Sequence, residues 1–188
     1  MKSLNATHYE VISTYPSKKE RKHHVVHAIV ETPKDSRYKF ALDAERGIIA
    51  LHEALPDGYR WPFDYGFIPQ TLGDDGDPLD ILVMLNEPTF SGCLMKVRLL
   101  GAIRLRKNGI ENDRFIAAPP RMPGVSLETD AFETLHDIGA ARREEIESFL
   151  CGYSESQGNR IDLVGAVELD EAVNLVDHGH KSFARKRR

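Results

Sequence analysis

The chain has 188 residues, of which 41% are hydrophobic and 29% are charged, and its formal net charge at pH 7 is −4. This ordinary globular composition predicts a single folded domain, and so small a net charge argues against a protein that binds nucleic acid through its overall charge. Two cysteines cannot form a disulfide framework, no apolar stretch approaches the ~20 residues that cross a bilayer, and the start of the chain is polar, so we expect a cytoplasmic protein without a membrane partner.

The two ends of the chain differ in composition from the segment between them. Residues 1–22 are polar and contain closely spaced lysines and arginines, which predicts an extension on the outside of the fold. Residues 179–188 are rich in lysine and arginine and are predicted to be a solvated basic tail. We find no internal repeat, so residues 23–178 are predicted to form one domain.

Short apolar segments, several of them rich in β-branched residues, predict a mainly β domain. In chain order, the predicted strands are His23–Glu31, Tyr38–Leu42, Gly47–Leu51, Ile81–Leu85, Cys93–Leu105, Arg114–Ala118 and Arg160–Leu169. The second and third strands flank a charged turn, which predicts a hairpin, whereas residues 56–88 are dense in glycine and proline and resemble loop. Several short strands at close spacing favour a barrel or a sandwich.

Two segments late in the chain have helical periodicity instead. Residues 140–152 place Ile146, Phe149 and Leu150 on one face with charges elsewhere, which predicts a helix that covers the sheet. Residues 170–178 predict a second, shorter helix. The fold class is therefore α+β, with a mainly antiparallel barrel.

An acidic loop precedes the most apolar predicted strand. Residues 74–80 carry four carboxylates in seven positions, with a glycine and a proline between them. Like charges this close raise one another's pKa and repel, so the loop requires cations or shared protons. Carboxylate oxygens suit Mg²⁺, Mn²⁺ or Ca²⁺. A solvated surface turn is the plain alternative, and a calcium-binding loop is disfavoured because the acids do not follow the alternate-residue spacing.

The acidic loop and the segment before it resemble the signature of the soluble family I inorganic pyrophosphatases. The matching residues are Tyr65-Gly66-Phe67-Ile68-Pro69 and Gly73-Asp74-Asp75-Gly76-Asp77-Pro78-Leu79-Asp80. Weaker matches extend the resemblance over approximately residues 23–168. It implies a five-stranded OB-like antiparallel barrel flanked by helices, hydrolysis of pyrophosphate to two phosphates, Mg²⁺ as cofactor with Mn²⁺ as a possible substitute, and a homo-oligomer.

The resemblance also implies roles for individual residues. Asp77 corresponds to the general base for a metal-activated water. The residues that correspond to metal ligands, or take the place of one, are Asp75, Asp80, Glu31, Asn112 and Asp113. The residues that correspond to substrate-binding groups are Lys39, Tyr65, Arg114 and Tyr153. Asp113 can replace the acid that is missing at Asn112 only if the strand bulges or ends there, because neighbours on a strand point to opposite faces.

The chain departs from the family pattern at several positions around the inner loop. An acid is replaced by Ala41, an arginine by Glu53, an acid by Asn112 and a lysine by Ser154. Three interpretations follow: an active pyrophosphatase, a hydrolase of another phosphoanhydride, or a non-catalytic protein that keeps the fold as a scaffold or an OB-like binding module. Nucleic-acid binding is disfavoured because the strands that would bind bases lack interleaved aromatic residues and the acidic loop repels phosphates.

Overall fold

The computed structural model describes residues 17–43, 45–124 and 126–186. Most of the predicted N-terminal extension lies outside these residues. Its described end contains a one-turn helix, α1 (Lys18–Arg21), which begins after Ser17 because the Ser17 side chain accepts a hydrogen bond from the Glu20 backbone nitrogen at 3.2 Å.

The described residues are mainly β. The strands are β1 (Val25–Thr32), β2 (Tyr38–Asp43), β3 (Ile48–Ala54), β4 (Asp64–Phe67), β5 (Asp80–Val83), β6 (Leu94–Lys107), β7 (Ile110–Glu111), β8 (Arg114–Ala118) and β9 (Ile161–Val167). Five of them form a closed ring in the order β1, β4, β5, β8, β6 and back to β1. The ring confirms the predicted mainly β fold and is consistent with an OB-like architecture.

One pair of neighbouring strands in the ring is parallel, although the predicted barrel is mainly antiparallel. β5 and β8 run parallel, whereas β1–β4, β4–β5, β6–β8 and β1–β6 are antiparallel. Outside the ring, β2 and β3 form the predicted hairpin, and β9 extends the sheet by pairing with β6. The parallel pairing places Asp80 opposite Arg114 at the start of both strands.

Two longer helices pack against the sheet, α2 (Ala140–Ser156) and α3 (Leu169–Lys186), and two short 3₁₀ helices precede α2 at Glu128–Ala131 and Leu135–Ile138. None of the helices in the described part of the chain is long and apolar enough to cross a membrane. The second predicted helix was expected to end at His178, with a separate tail after it, but α3 continues to Lys186. Gly179 lies within α3, and a Cβ at this position would lie 2.8 Å from Leu79. The glycine therefore permits close contact between α3 and the acidic loop.

The core consists of two apolar clusters, one on each side of the strands. Ile81 and Val83 of β5 belong to the cluster that includes α3, whereas Leu82, between them, belongs to the cluster that includes α2. Because alternate side chains of a strand point to opposite faces, β5 is buried on both faces. This double burial explains its continuous apolar sequence and fixes the end of the acidic loop that leads into it.

Candidate active site

The acidic loop is held in shape by its own backbone. The Gly73 backbone nitrogen donates to the Asp77 carbonyl oxygen at 2.7 Å, and the Asp77 nitrogen donates to Asp75 Oδ1 at 3.1 Å. Gly76 lies between the two acids with φ of +91°, a conformation that side chains other than glycine rarely adopt. The chain therefore reverses within the loop and places its carboxylates beside one cavity.

This cavity, which we call the catalytic cavity, has a volume of about 290 Å³. It lies between the acidic loop, the ring and the β2–β3 hairpin. Its lining residues are Glu31, Lys39, Ala41, Leu42, Tyr65, Phe67, Asp75, Asp77, Pro78, Asp80, Lys107, Asn112 and Arg114. Most of the residues singled out by sequence are therefore brought together, including all three acids of the inner loop.

Arg114 neutralises one of these acids directly. Its Nη1 lies 2.5 Å from Asp80 Oδ2, and both side chains are largely buried. The pair follows from the parallel register of β5 and β8, which sets the two residues side by side. A guanidinium in the floor of the cavity also offers N–H donors to an anionic ligand.

Glu31 on β1 is a buried acid that also lines the catalytic cavity. Its Oε1 accepts a hydrogen bond from the Leu42 backbone nitrogen at 2.7 Å, and the residue is 9% exposed. Burial raises the pKa of Glu31 to about 7, with a further contribution from the negative charges of Asp80 and Asp77, although the Leu42 hydrogen bond opposes the shift. Near neutral pH, Glu31 therefore exists in both protonation states.

Asp75 and Asn112 form a second contact across the cavity. Asn112 Nδ2 donates a hydrogen bond to Asp75 Oδ2, while Asn112 Oδ1 is buried and has no hydrogen-bond partner among the described residues. Burial raises the pKa of Asp75, and the nearby carboxylates add to the shift. An amide oxygen without a donor beside a desolvated carboxylate is a suitable pair of ligands for a hard cation.

The described residues do not form a complete metal cage. No three of their His, Cys, Asp or Glu side chains are close enough together to hold a metal ion by themselves. This arrangement fits Mg²⁺, which proteins commonly bind through one or two carboxylates while water and substrate phosphates supply the remaining ligands.

Two hydroxyl groups lie close to the cavity. Tyr65 is buried and stacks on Trp61 with 4.5 Å between ring centroids, and burial and the charge of Asp80 raise the pKa of its phenol. Tyr153, on α2, is also largely buried, and burial and its hydrogen bond to Glu53 raise the pKa of its phenol. Both phenols therefore remain protonated and can donate hydrogen bonds.

Lys39, Glu53 and Tyr153 form a compact cluster at the edge of the catalytic cavity. Tyr153 donates its hydroxyl hydrogen to Glu53 Oε1, and Lys39 Nζ lies 4.0 Å from the same oxygen. Lys39 Nζ also lies 5.5 Å from the centroid of the Tyr153 ring. Burial lowers the pKa of Lys39, while Glu53 and Asp80 oppose that shift.

Two of the predicted site residues, Asp113 and Tyr153, are not among those that line the catalytic cavity; Tyr153 lies beside Lys39 at its edge, whereas Asp113 contacts Arg104. Asp113 Oδ2 lies 3.5 Å from Arg104 Nε, its Oδ1 is buried without a hydrogen-bond partner among the described residues, and its side chain is 9% exposed. Asp113 lines a second cavity of about 290 Å³ that lies between the acidic loop and α3 and includes His178; Asp75, Asp80, Asn112 and Arg114 line both cavities. Asp113 precedes the first residue of β8.

Sequence reasoning missed two residues of this site. Lys107 lines the catalytic cavity, although it was not among the candidate site residues. Glu53 had been noted only as the place of a missing arginine, yet it contacts two predicted substrate-binding residues. The hairpin could have indicated Glu53 as a site residue, because β2 and β3 pair it with Lys39.

Comparison with known proteins identifies relatives over most of the chain. The family model described as inorganic pyrophosphatase matches residues 28–184. The inorganic pyrophosphatase of Streptomyces coelicolor is 36% identical over 155 residues, which are 82% of this chain and 93% of the relative. The inorganic pyrophosphatase of Nostoc sp. is 31% identical over 159 residues, which are 85% of this chain and 92% of the relative. The crystal structure of inorganic pyrophosphatase from Thermus thermophilus superposes with a TM-score of 0.80 at 26% identity, covering 93% of this chain and 99% of that one.

Proposed function

This chain belongs to the inorganic pyrophosphatase family and hydrolyses pyrophosphate, and we propose that the reaction takes place in the catalytic cavity with Asp77 as the general base. The observation that carries the proposal is the convergence of Asp75, Asp77 and Asp80 on a cavity that also contains Lys39 and Arg114. Hydrolysis of a phosphoanhydride requires both a proton acceptor for water and cations for the phosphate oxygens, and this cavity supplies both.

Asp77 is the acid of the loop best suited to accept a proton. Asp80 is paired with Arg114, and Asp75 accepts hydrogen bonds from Asn112 and from the Asp77 backbone. Among the described residues, no hydrogen bond to the Asp77 carboxylate is found. Its lone pairs are therefore available to a water molecule in the cavity, as a general base requires.

We assign the phosphate groups of the substrate to four side chains, Lys39, Tyr65, Arg114 and Tyr153. Lys39 and Arg114 carry positive charge, and the two phenols remain protonated and donate hydrogen bonds. Arg114 offers several N–H donors, of which the contact with Asp80 occupies only part. These groups hold pyrophosphate in place and neutralise the charge that develops on its oxygens.

The enzyme uses a divalent metal ion, and we propose that Mg²⁺ is preferred, with Mn²⁺ as a possible substitute. Asp75, Asp80 and the amide oxygen of Asn112 are proposed to hold it, with Glu31 as an outer group. When bound, such an ion lowers the pKa of a water ligand and neutralises phosphate oxygens. Asp113 is left out of this group because it is paired with Arg104 and is not among the residues that line the catalytic cavity.

Assembly and location are further parts of the proposal. Large apolar side chains are exposed on several elements, including Leu51 on β3, Phe90, and Leu163 and Val164 on β9. Exposed apolar surface of this kind favours a homo-oligomer, which light scattering coupled to gel filtration would detect. A cytoplasmic location is supported by Cys93 and Cys151, which are both free thiols.

The test of the proposed base is phosphate release from Mg²⁺–pyrophosphate by the wild type and by Asp77→Asn. The substitution keeps the size of the side chain but removes its capacity to accept a proton, so kcat is expected to fall by about 10² to 10⁴. Asp74→Asn is the matched control, because it removes the same charge from the same loop at a residue that does not line the catalytic cavity. Retention of most of the wild-type kcat by Asp77→Asn would reject Asp77 as the base.

Tripolyphosphate and ATP serve as parallel substrates in the same assay. Cleavage of pyrophosphate by the wild type, with little cleavage of the longer phosphoanhydrides, is expected from a member of the inorganic pyrophosphatase family. Preferential cleavage of a longer substrate would instead indicate that the positions Ala41, Glu53 and Ser154 have redirected the site.

A further inference from the structure

Glu53 lies within the group of side chains that we assign to the substrate. The oxygen that accepts the Tyr153 hydroxyl hydrogen is also the oxygen nearest Lys39 Nζ, at 4.0 Å. Tyr153 has one hydroxyl hydrogen to donate, and Glu53 accepts it. A phosphate oxygen that binds this tyrosine as a donor must therefore displace the carboxylate of Glu53.

The cluster is held in place by secondary structure on both sides. Lys39 and Glu53 are directly opposite each other in the β2–β3 hairpin. Tyr153 comes from α2, where its ring stacks on Phe149 with 5.9 Å between centroids and also contacts Trp61 at 5.4 Å. The side chains of Lys39 and Glu53 are each 22% exposed, so their charges are screened by water less than those of a surface pair.

We infer that Glu53 is a specificity-determining residue that weakens the binding of free inorganic phosphate at Lys39 and Tyr153. This inference rests on the proposed assignment of those two residues to the substrate. Glu53 competes for the Tyr153 hydroxyl hydrogen, neutralises part of the Lys39 charge, and repels an anion directly.

The effect depends on the charge of the ligand. A phosphoanhydride whose oxygens are neutralised by divalent cations is repelled by Glu53 less than a free phosphate dianion is. Glu53 therefore discriminates between a cation-neutralised substrate and the free product, and it favours release of phosphate from this end of the catalytic cavity.

The test is calorimetric titration of inorganic phosphate into the full chain in buffer that contains Mg²⁺. Glu53→Gln removes the charge but retains an oxygen that can accept from Tyr153, whereas Glu53→Ala removes both. Glu45→Gln is the matched control, since Glu45 is an exposed residue in the turn of the same hairpin and lines neither cavity. Both Glu53 variants are expected to bind phosphate about tenfold more tightly than wild type, and the control within about twofold of it.

Three results would overturn the inference. The first is an unchanged or weaker phosphate affinity in Glu53→Gln. The second is tightening in Glu53→Ala alone, because that would assign the effect to the position of Tyr153 rather than to charge. The third is the absence of measurable phosphate binding in the wild type and in both variants.

The binding measurement does not depend on turnover, so it separates this inference from the proposed function. Wild-type hydrolysis of pyrophosphate with no effect of Glu53→Gln on phosphate binding would reject the role of Glu53 alone. Tighter phosphate binding by Glu53→Gln, together with no hydrolysis by any form of the protein, would reject the proposed function and retain Glu53 as a determinant of phosphate affinity.

Discussion

Replacement of Glu31 by glutamine is expected to change how the stability of the fold depends on pH. Glu31 lies on β1 and is 9% exposed, and burial, with the charges of Asp80 and Asp77, raises the pKa of its carboxyl from 4.5 to about 7. Glutamine has nearly the same size, and its amide oxygen can accept the hydrogen bond from Leu42 that Glu31 accepts. The substitution therefore removes the ionisation with little other change.

The sign of the effect follows from proton linkage. Between pH 4.5 and about 7, the folded chain retains a proton on Glu31 that the unfolded chain has already lost. A rise in pH through this range therefore favours the unfolded state. The resulting loss of folding stability is complete once the pH exceeds the folded-state pKa of Glu31. A difference of about 2.5 in pKa corresponds to about 3 kcal/mol, as an order-of-magnitude value. As the pH rises from about 4.5 to about 8, the free energy of unfolding of Glu31→Gln should consequently rise by about 3 kcal/mol relative to that of wild type.

Urea unfolding of both proteins at a series of pH values, with EDTA present to remove divalent ions, would measure this difference. Glu45→Gln, in the exposed turn between β2 and β3, should follow the wild-type pH dependence. If the free energies of unfolding of Glu31→Gln and wild type remain parallel over the whole range, the desolvated carboxyl of Glu31 is not a source of pH-dependent instability.

Two further substitutions test the ring and the cavity. A Cβ on Gly66 would lie 1.9 Å from the carbonyl oxygen of Ile29, a backbone atom of the neighbouring strand, so Gly66→Ala is expected to lower the free energy of unfolding by at least about 3 kcal/mol. A urea midpoint equal to that of wild type would contradict this close contact. Asn112→Asp places a second carboxylate against Asp75, so metal-free stability should fall by about 1 kcal/mol while Mg²⁺ affinity rises about tenfold. Unchanged Mg²⁺ binding in calorimetry would show that Asn112 is not beside the metal.

Sequence was most informative where local composition and local structure agree. The strand Arg114–Ala118 has its predicted bounds, because a polar turn precedes it and prolines follow it. β4 was missed because residues 64–67 lie in a segment rich in glycine and proline, and Gly66 is required there for contact with another strand rather than for a turn. The helix predicted over residues 170–178 was too short, since it continues to Lys186 and Gly179 within it packs closely against Leu79.

The candidate site shows the same division between local and long-range information. The acidic loop is contiguous, so its residues and their signature were apparent from the sequence. Glu53 was not identified as a site residue, because its contact with Tyr153 joins residues 100 positions apart on different elements. Nor could sequence determine that Asp113 faces the second cavity, since that depends on where β8 begins relative to the acidic loop.

The parallel pairing of β5 with β8 has a consequence for how the enzyme matures. Asp80 and Arg114 meet only after the intervening segment, which includes β6 and β7, has crossed from one strand to the other. Such non-local pairing forms more slowly than hairpins, because a long loop must be closed before any contact stabilises it. On the ribosome, the acidic loop is synthesised before its arginine. The nascent chain therefore carries an acidic loop whose charge no arginine neutralises. The active site can form only once the ring of strands is complete.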